Sequence, residues 1–172
     1  MDFTLKNISR AGIAEANSKA ERYRFLNQPQ EAESICLDIL AVEPDDQLAL
    51  RNLGLAITDQ FTGRAGDRYA DAEAAFAKLK DPYEKLYYTG IMLERQAKCQ
   101  LRRGQLAHTL LVIFEDAMRA FEKAAAIRPP ANDDAILHWN SCARVLQSRK
   151  DEDWRREHQD LEGIDAGDST PI

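Results

Sequence analysis

Small and apolar residues return along this chain every three or four positions and are interrupted by proline, glycine or paired aspartates. That is the period of one face of an α-helix, not the alternation of a strand. Ile13, Ala16, Ala20, Tyr23 and Leu26 predict a first helix over about 9–26, which Asn27, Gln28 and Pro29 end. Pro29 suits the first turn of a second helix carrying Ala32, Cys36 and Ile39, which stops near Pro44. Asp45 or Asp46 caps a third, with Leu50, Leu53, Gly54 and Ile57 on one face. Gly54 sits where a side chain would hold two helices apart. Gly63 and Gly66 break the pattern before Asp67 restarts it, and Ala72, Phe76 and Leu79 form the next stripe. Asp81, Pro82 and Glu84 combine an N-cap, a first-turn proline and the acid of a capping box. A helix of about twenty residues, longer than the usual globular helix, then runs from Tyr83 to Gly104. Its partner spans about Leu106 to Ile127. After Pro129 and Pro130, Asp133 or Asp134 caps a seventh helix through Ile136, Trp139, Cys142, Val145 and Leu146.

One arrangement recurs. Ala117, Phe121, Ala124 and Pro129 follow the same plan as Ala32, Cys36, Ile39 and Pro44, and as Ala72, Phe76, Leu79 and Pro82. Each set is preceded by a helix with a small residue, at Ala20, Gly54 and Gly90. This pairing resembles the tetratricopeptide repeat, a helix-turn-helix unit of about 34 residues. The resemblance covers 9–148 as three helical pairs plus an unpaired seventh helix, with 1–8 as a lead and 149–172 as a tail. It implies an all-α, right-handed superhelix whose first helices line a concave groove.

The departures from that family are also informative. The small residue and the first alanine of the following helix lie 12 residues apart from Ala20 to Ala32, 18 from Gly54 to Ala72 and 27 from Gly90 to Ala117. The glycine-bearing loop absorbs the second excess. The third predicts that both helices lengthen by about two turns, roughly 10 Å, so that hairpin 83–128 projects from the stack.

If the resemblance holds, the groove is lined by Asn17, Glu21 and Arg24 of the first helix and by Arg51, Asn52 and Leu55 of the third. Tyr87, Tyr88 and Ile91 of the fifth and Trp139 and Asn140 of the seventh complete it. Amides pair with the backbone of an extended peptide, and aromatics supply rigid contact area. The implied function is non-catalytic protein–protein interaction, with a peptide or helix of a partner in the groove. The basic clamp for a terminal carboxylate found in chaperone-binding members of the family is not matched, because Glu21 and Glu84 stand where it wants neutral or basic groups. The alternative is an assembly role in which the hairpin self-associates, as in a homodimer. Leu106, Leu110, Ile113, Ala117 and Phe121 make one apolar stripe there, and Ala107, Leu111, Phe114 and Met118 make another.

Composition narrows the class further. A chain of 172 residues, 44% hydrophobic, with 8 Gly and 6 Pro, supports one mostly helical domain. From Lys150 onward eight acids face three basic residues, so −5 of the net charge of −6 lies in the tail. A nearly neutral body with interleaved basic residues is not expected to bind nucleic acid. No run approaches the roughly 20 apolar residues of a membrane span, so no membrane partner is expected. The start shows no signal peptide, and Cys36, Cys99 and Cys142 read as buried thiols of a cytoplasmic protein. The polar stretch 150–162, with Trp154, His158 and Leu161, reads as a solvating last helix or a loose tail, and disorder is expected after Gly163.

Candidate chemistry is sparse. His138 and Cys142 have metal-ligand spacing on one helix but lack a third ligand. His108 and His158 have no recognisable partners, no HExxH occurs, and the acidic pairs are simpler as caps than as acid–base couples. Neither an enzyme, a metal nor a cofactor is expected.

Overall fold

The computed structural model describes residues 3–148, and every regular element within them is helical. A 3-10 turn, Arg10–Gly12, leads into α1 (Ile13–Phe25), followed by α2 (Pro29–Val42), α3 (Gln47–Asp59), α4 (Tyr69–Ala77), α5 (Pro82–Arg102) and α6 (Leu111–Ala126). Residues 134–148 form α7. The expectations for 149–172 fall outside the described residues. Among the described residues no helix is long and apolar enough to cross a membrane.

Local chemistry sets the ends. α1 stops where Asn27 takes a φ of 57° and the N–H groups of Asn27 and Gln28 turn back to the carbonyls of Arg24 and Tyr23. The Asp46 carboxylate accepts from the Ala49 N–H to cap α3, and Asp81 accepts from Tyr83 and Glu84 to cap α5. Three sequence expectations need correction here. The capping box at α5 is only half made, because Glu84 reaches across to Arg51 of α3 at 2.9 Å, a charged donor in place of a neutral N–H. At α7 Asp133 stands at the N-cap position and its carbonyl accepts from the Leu137 N–H, but its carboxylate pairs with Arg128, and the side-chain bond to the first turn comes from Asn132, whose Oδ1 accepts from the Asp134 N–H. Asp67 does not start α4. Its carboxylate accepts from the N–H groups of Thr62 and Gly63 and the hydroxyls of Thr62 and Tyr69, holding the loop before the helix.

The helices pack as antiparallel neighbours, α1 on α2, α3 on α4 and α5 on α6, and α1, α3 and α5 also touch in sequence. The result is a repeat-like bundle in which one core cluster runs from Leu50 of α3 to Cys142 of α7. Its repeating element is a close approach between paired helices. A Cβ added at Gly54 would lie 2.3 Å from the Phe76 ring, and one at Gly90 would lie 2.6 Å from the Phe121 ring. In the first pair Ala20 and Cys36 hold the corresponding sequence positions, both fully buried. A larger residue on the first helix goes with a smaller one on the second, which accounts for a cysteine where the other two pairs have phenylalanine.

The third hairpin is long but does not stand clear of the stack. α5 has 21 residues, close to expectation. Its partner is not one helix from Leu106: a 3-10 turn, Ala107–Leu110, comes first, with the N–H and hydroxyl of Thr109 both donating to the Leu106 carbonyl. The far half of α5 is covered by the loop between α3 and α4. Cys99 Sγ donates to the Phe61 carbonyl at 3.2 Å, and Gln100 donates to the Tyr69 hydroxyl. Gly63, at φ 76°, lies against the Cys99 carbonyl so closely that a Cβ would be 2.7 Å away. The extra residues of the second pair thus roof the extra turns of the third. These two departures from the repeat are one packing feature.

Candidate functional site: the inner face of α1, α3, α5 and α7

The odd-numbered helices lie side by side, and the side chains between them divide into two unlike halves. On the α1–α3–α5 side, charged groups are used within the molecule. Asn17 donates through Nδ2 to Asp46 Oδ1 at 3.1 Å, the same oxygen that caps α3. The buried Oδ1 of Asn17 has no hydrogen-bond partner among the described residues. One α-helical turn below Glu21, Arg24 pairs through Nε with Asp59 Oδ2 at 2.8 Å. Arg95 of α5 reaches the other oxygen of Asp59 at 2.5 Å and also donates to the Thr58 hydroxyl and the Leu55 carbonyl. Arg51 pairs with Glu84. Beneath these pairs Asn52, Leu55 and Ile91 are 3%, 9% and 5% exposed and serve as floor. Of the six groove residues expected on α1 and α3, only Glu21 is exposed.

On the α5–α7 side the surface is aromatic. Tyr83 and Tyr87 are nearly parallel, with centroids 5.7 Å apart and planes 7° from each other. Tyr88 meets Tyr87 edge-on at 5.0 Å and stacks on Phe76. The His138 ring stacks on Phe121 and meets Tyr87 edge-on. Tyr87, Tyr88, Trp139 and Asn140 are half-buried, with part of each surface open. Trp139 also lines a shallow cleft of about 180 Å³ with Phe121, Ala125, Ala135 and Ile136. Burial pushes the Tyr87 hydroxyl well above the ordinary tyrosine range, and the charges of Asp134 and Glu94 add to the shift.

A polar cluster joins α5 to α7. Glu94 is 3% exposed and accepts from Lys98 at 2.5 Å, and its other oxygen is 2.6 Å from His138 Nδ1. Lys98 also donates to the Ser141 hydroxyl. Burial alone would raise the Glu94 pKa, but the hydrogen bonds and charges of His138 and Lys98 outweigh it and hold the carboxyl below its usual range. Burial, reinforced by Glu94, pushes the Cys142 thiol up to about 12, and burial does the same to Cys36. Both are inert thiols at neutral pH. His138 and Cys142 therefore both face Glu94, yet its two oxygens are taken by Lys98 and His138. Among the described residues no group of three or more His, Cys, Asp or Glu is placed to hold a metal ion.

The second surface expected from sequence is split by the fold. Leu110 and Phe114 are buried in the core and Met118 packs at its edge, whereas Leu106 and Leu111 at the hairpin tip are 39% and 41% exposed. Val112 beside them is 62% exposed.

Sequence reasoning missed Asp59, Arg95 and Glu94. Glu94 carried a usable signal, since it falls three residues after Ile91 and seven after Tyr87, an acid on the buried stripe of α5. Asp59 and Arg95 carried none, because nothing local marks one as opposite the other. No protein-family model matches the chain, and no curated protein or solved structure matches it.

Proposed function

We propose that this protein is a non-catalytic, cytoplasmic interaction module, similar to tetratricopeptide repeats, whose inner face takes a peptide or helix of another protein. The observation that supports this most is the half-exposed row Tyr87, Tyr88, Trp139 and Asn140 on adjacent helices α5 and α7. These aromatics pack against the core on one side and keep part of their surface open, and Asn140 makes no side-chain hydrogen bond among the described residues, a combination that suits recognition of a partner segment. The site is concentrated in that half, since the α1–α3 half has little unpaired surface to offer. Affinity capture tests the reading. The intact protein is expected to retain one or more partners that the Tyr87→Leu/Asn140→Ala variant loses while keeping its helical circular dichroism and a cooperative unfolding transition. Equal capture by a folded variant removes the inner face from the function.

A second reading, self-association through hairpin 83–128, is favoured by the exposed Leu106, Leu111 and Val112. Sedimentation over a wide concentration range separates the two. A concentration-dependent dimer abolished by Val112→Glu supports assembly, and a monomer throughout rejects it.

A further inference from the structure

At one end of the molecule, where the loop between α3 and α4 roofs the end of α5, the acids are all occupied and the arginines are not. Asp59 is held by Arg24 and Arg95, Asp71 by Arg68, and Glu94 by Lys98 and His138. The Asp67 carboxylate already accepts from the Thr62 and Gly63 N–H groups and the hydroxyls of Thr62 and Tyr69. Arg64, Arg102 and Arg103, by contrast, are exposed and make no ion pair among the described residues. The three are neighbours. The Arg103 stem lies against Gly63, its Cδ 2.9 Å from where a Cβ would stand, and Arg64 follows Gly63 in the chain. Arg102 donates to the Cys99 sulfur, which itself donates to the Phe61 carbonyl. Beside them an open cleft of about 320 Å³ is lined by Ile57 and Phe61 as well as by Arg64 and Arg68.

The last helix delivers the chain to this same end. Glu94 meets His138 and Lys98 meets Ser141, so α5 and α7 run parallel with an offset of 44 and 43 residues. That register brings residues 145–147 level with Arg102 and Arg103. Farther on, the sequence 157–168, EHQDLEGIDAGD, has five acids and no Lys or Arg, with Leu161 between Asp160 and Glu162. The nine residues from 148 to 157 can span at most about 30 Å, enough to reach the cluster.

We propose that the acidic segment 157–168 of this chain docks on its own Arg64, Arg102 and Arg103, with Leu161 in the neighbouring cleft. Guanidinium groups offer paired donors to carboxylates, and the cleft joins apolar walls to a basic rim, which suits a leucine flanked by acids. Each exposed ion pair is weak alone, but the tether holds the segment at an effective concentration on the order of millimolar. None of these arginines is among the inner-face residues, so the docking stands or falls apart from the inner-face reading.

The test uses the full chain with a nitroxide attached through Ser169→Cys, the native Cys36, Cys99 and Cys142 being buried, and reads the broadening of backbone amide signals by NMR. The amides of Gly63, Arg64, Gly66 and Gly104 are expected to lose at least half of their intensity. Those of 45–47, at the other end of α3 about 20 Å away, are expected to keep theirs. The broadening is expected to disappear in 1 M salt, where charges are screened beyond about 3 Å. It is also expected to fall at least threefold in Arg64→Gln/Arg103→Gln, and equally in Glu157→Gln/Asp160→Asn/Glu162→Gln, which leaves every described residue in place and decides the matter if the arginine variant unfolds. A loop left unbroadened, equal broadening at 45–47, or broadening indifferent to salt and to the acidic-segment variant overturns the inference. Broadening seen only when the label and the observed amides are on different molecules assigns the cluster to a second copy's segment and overturns it as well.

Discussion

The α1–α3 seam and the α5–α7 seam are built from the same helical pairs, yet they use polar groups in opposite ways. In the first, Asp59 is gripped from both sides by Arg24 and Arg95, tying three helices through one carboxylate. In the second, the tying carboxylate is Glu94, sunk below the surface, and the level above it is left to tyrosines, His138 and Trp139. The difference lies in depth. A lock made at the surface consumes the surface, whereas a lock made beneath it leaves the outer layer to the aromatic rings.

The glycines test whether the two seams share one scaffold. Gly54→Ala gains about 1 kcal/mol of helix propensity. It also drives a methyl against the Phe76 ring, where the added Cβ would be 2.3 Å away. Overpacking of this kind costs about 1–3 kcal/mol or more, and with a ring as the obstacle the net loss is expected near 2 kcal/mol. Gly90→Ala, at 2.6 Å from Phe121, is expected to lose somewhat less. Denaturant unfolding measures both. Gly54→Ala/Phe76→Leu is expected to regain at least half of the loss, since the first pair already combines Ala20 with the small Cys36. A double variant no better than the single would mean that the pairs are not one repeated solution.

Asp59→Ala breaks the surface lock and is expected to cost roughly 1.5 kcal/mol. The range for charged hydrogen bonds is discounted here because Arg24, Arg95 and Asp59 keep some contact with water. Partner capture is expected to survive, because the aromatic half is untouched. Loss of capture in a folded Asp59→Ala protein would erase the distinction between the halves.

Glu94→Gln probes the buried lock, at about 1 kcal/mol near pH 7, since the amide still accepts a hydrogen bond but carries no charge. The pH dependence gives its sign. The folded carboxyl titrates below its ordinary value near 4.5, so its contribution is complete above that pH and is lost as pH falls through the lowered value. The stability gap between wild type and Glu94→Gln is therefore expected to close as the pH falls from 5 toward 3. A gap independent of pH would show that the charge is not what Glu94 contributes.

Much of the architecture was legible in the sequence because it rests on local signals. Helical period, prolines at first turns, the caps Asp46 and Asp81, and Gly54 as a point of close approach depend on residues near one another. The 3-10 turn before α6 was not legible, because Leu106 to Leu110 keep the apolar spacing of a helix. Nor was the roof over α5, which depends on Gly63 meeting a carbonyl 36 residues away at Cys99. At the candidate site, the helical period put polar and aromatic residues on odd-numbered helices, but which of them were paired depended on residues such as Asp59 and Glu84. Pairing across helices is set by tertiary register, which no single helix encodes.

The smallest expected effect separates the locks from ordinary surface charge. Arg10 and Glu43 approach to 2.8 Å, as close as Arg24 and Asp59, but the Arg10 side chain is 75% exposed. Distance alone would rank the two pairs equally. Solvent screening and the entropy of holding a long, free side chain remove most of the gain at the exposed pair, so Arg10→Ala is expected to cost less than about 0.5 kcal/mol. Measured in low and high salt beside Asp59→Ala, it also gives a control for general charge effects. If both losses vanish in 1 M salt, the Asp59 lock is only another surface pair, and the inner face of α1–α3 is open to partners after all. If the Asp59 loss persists, its strength comes from seating three helices around one partly buried carboxylate.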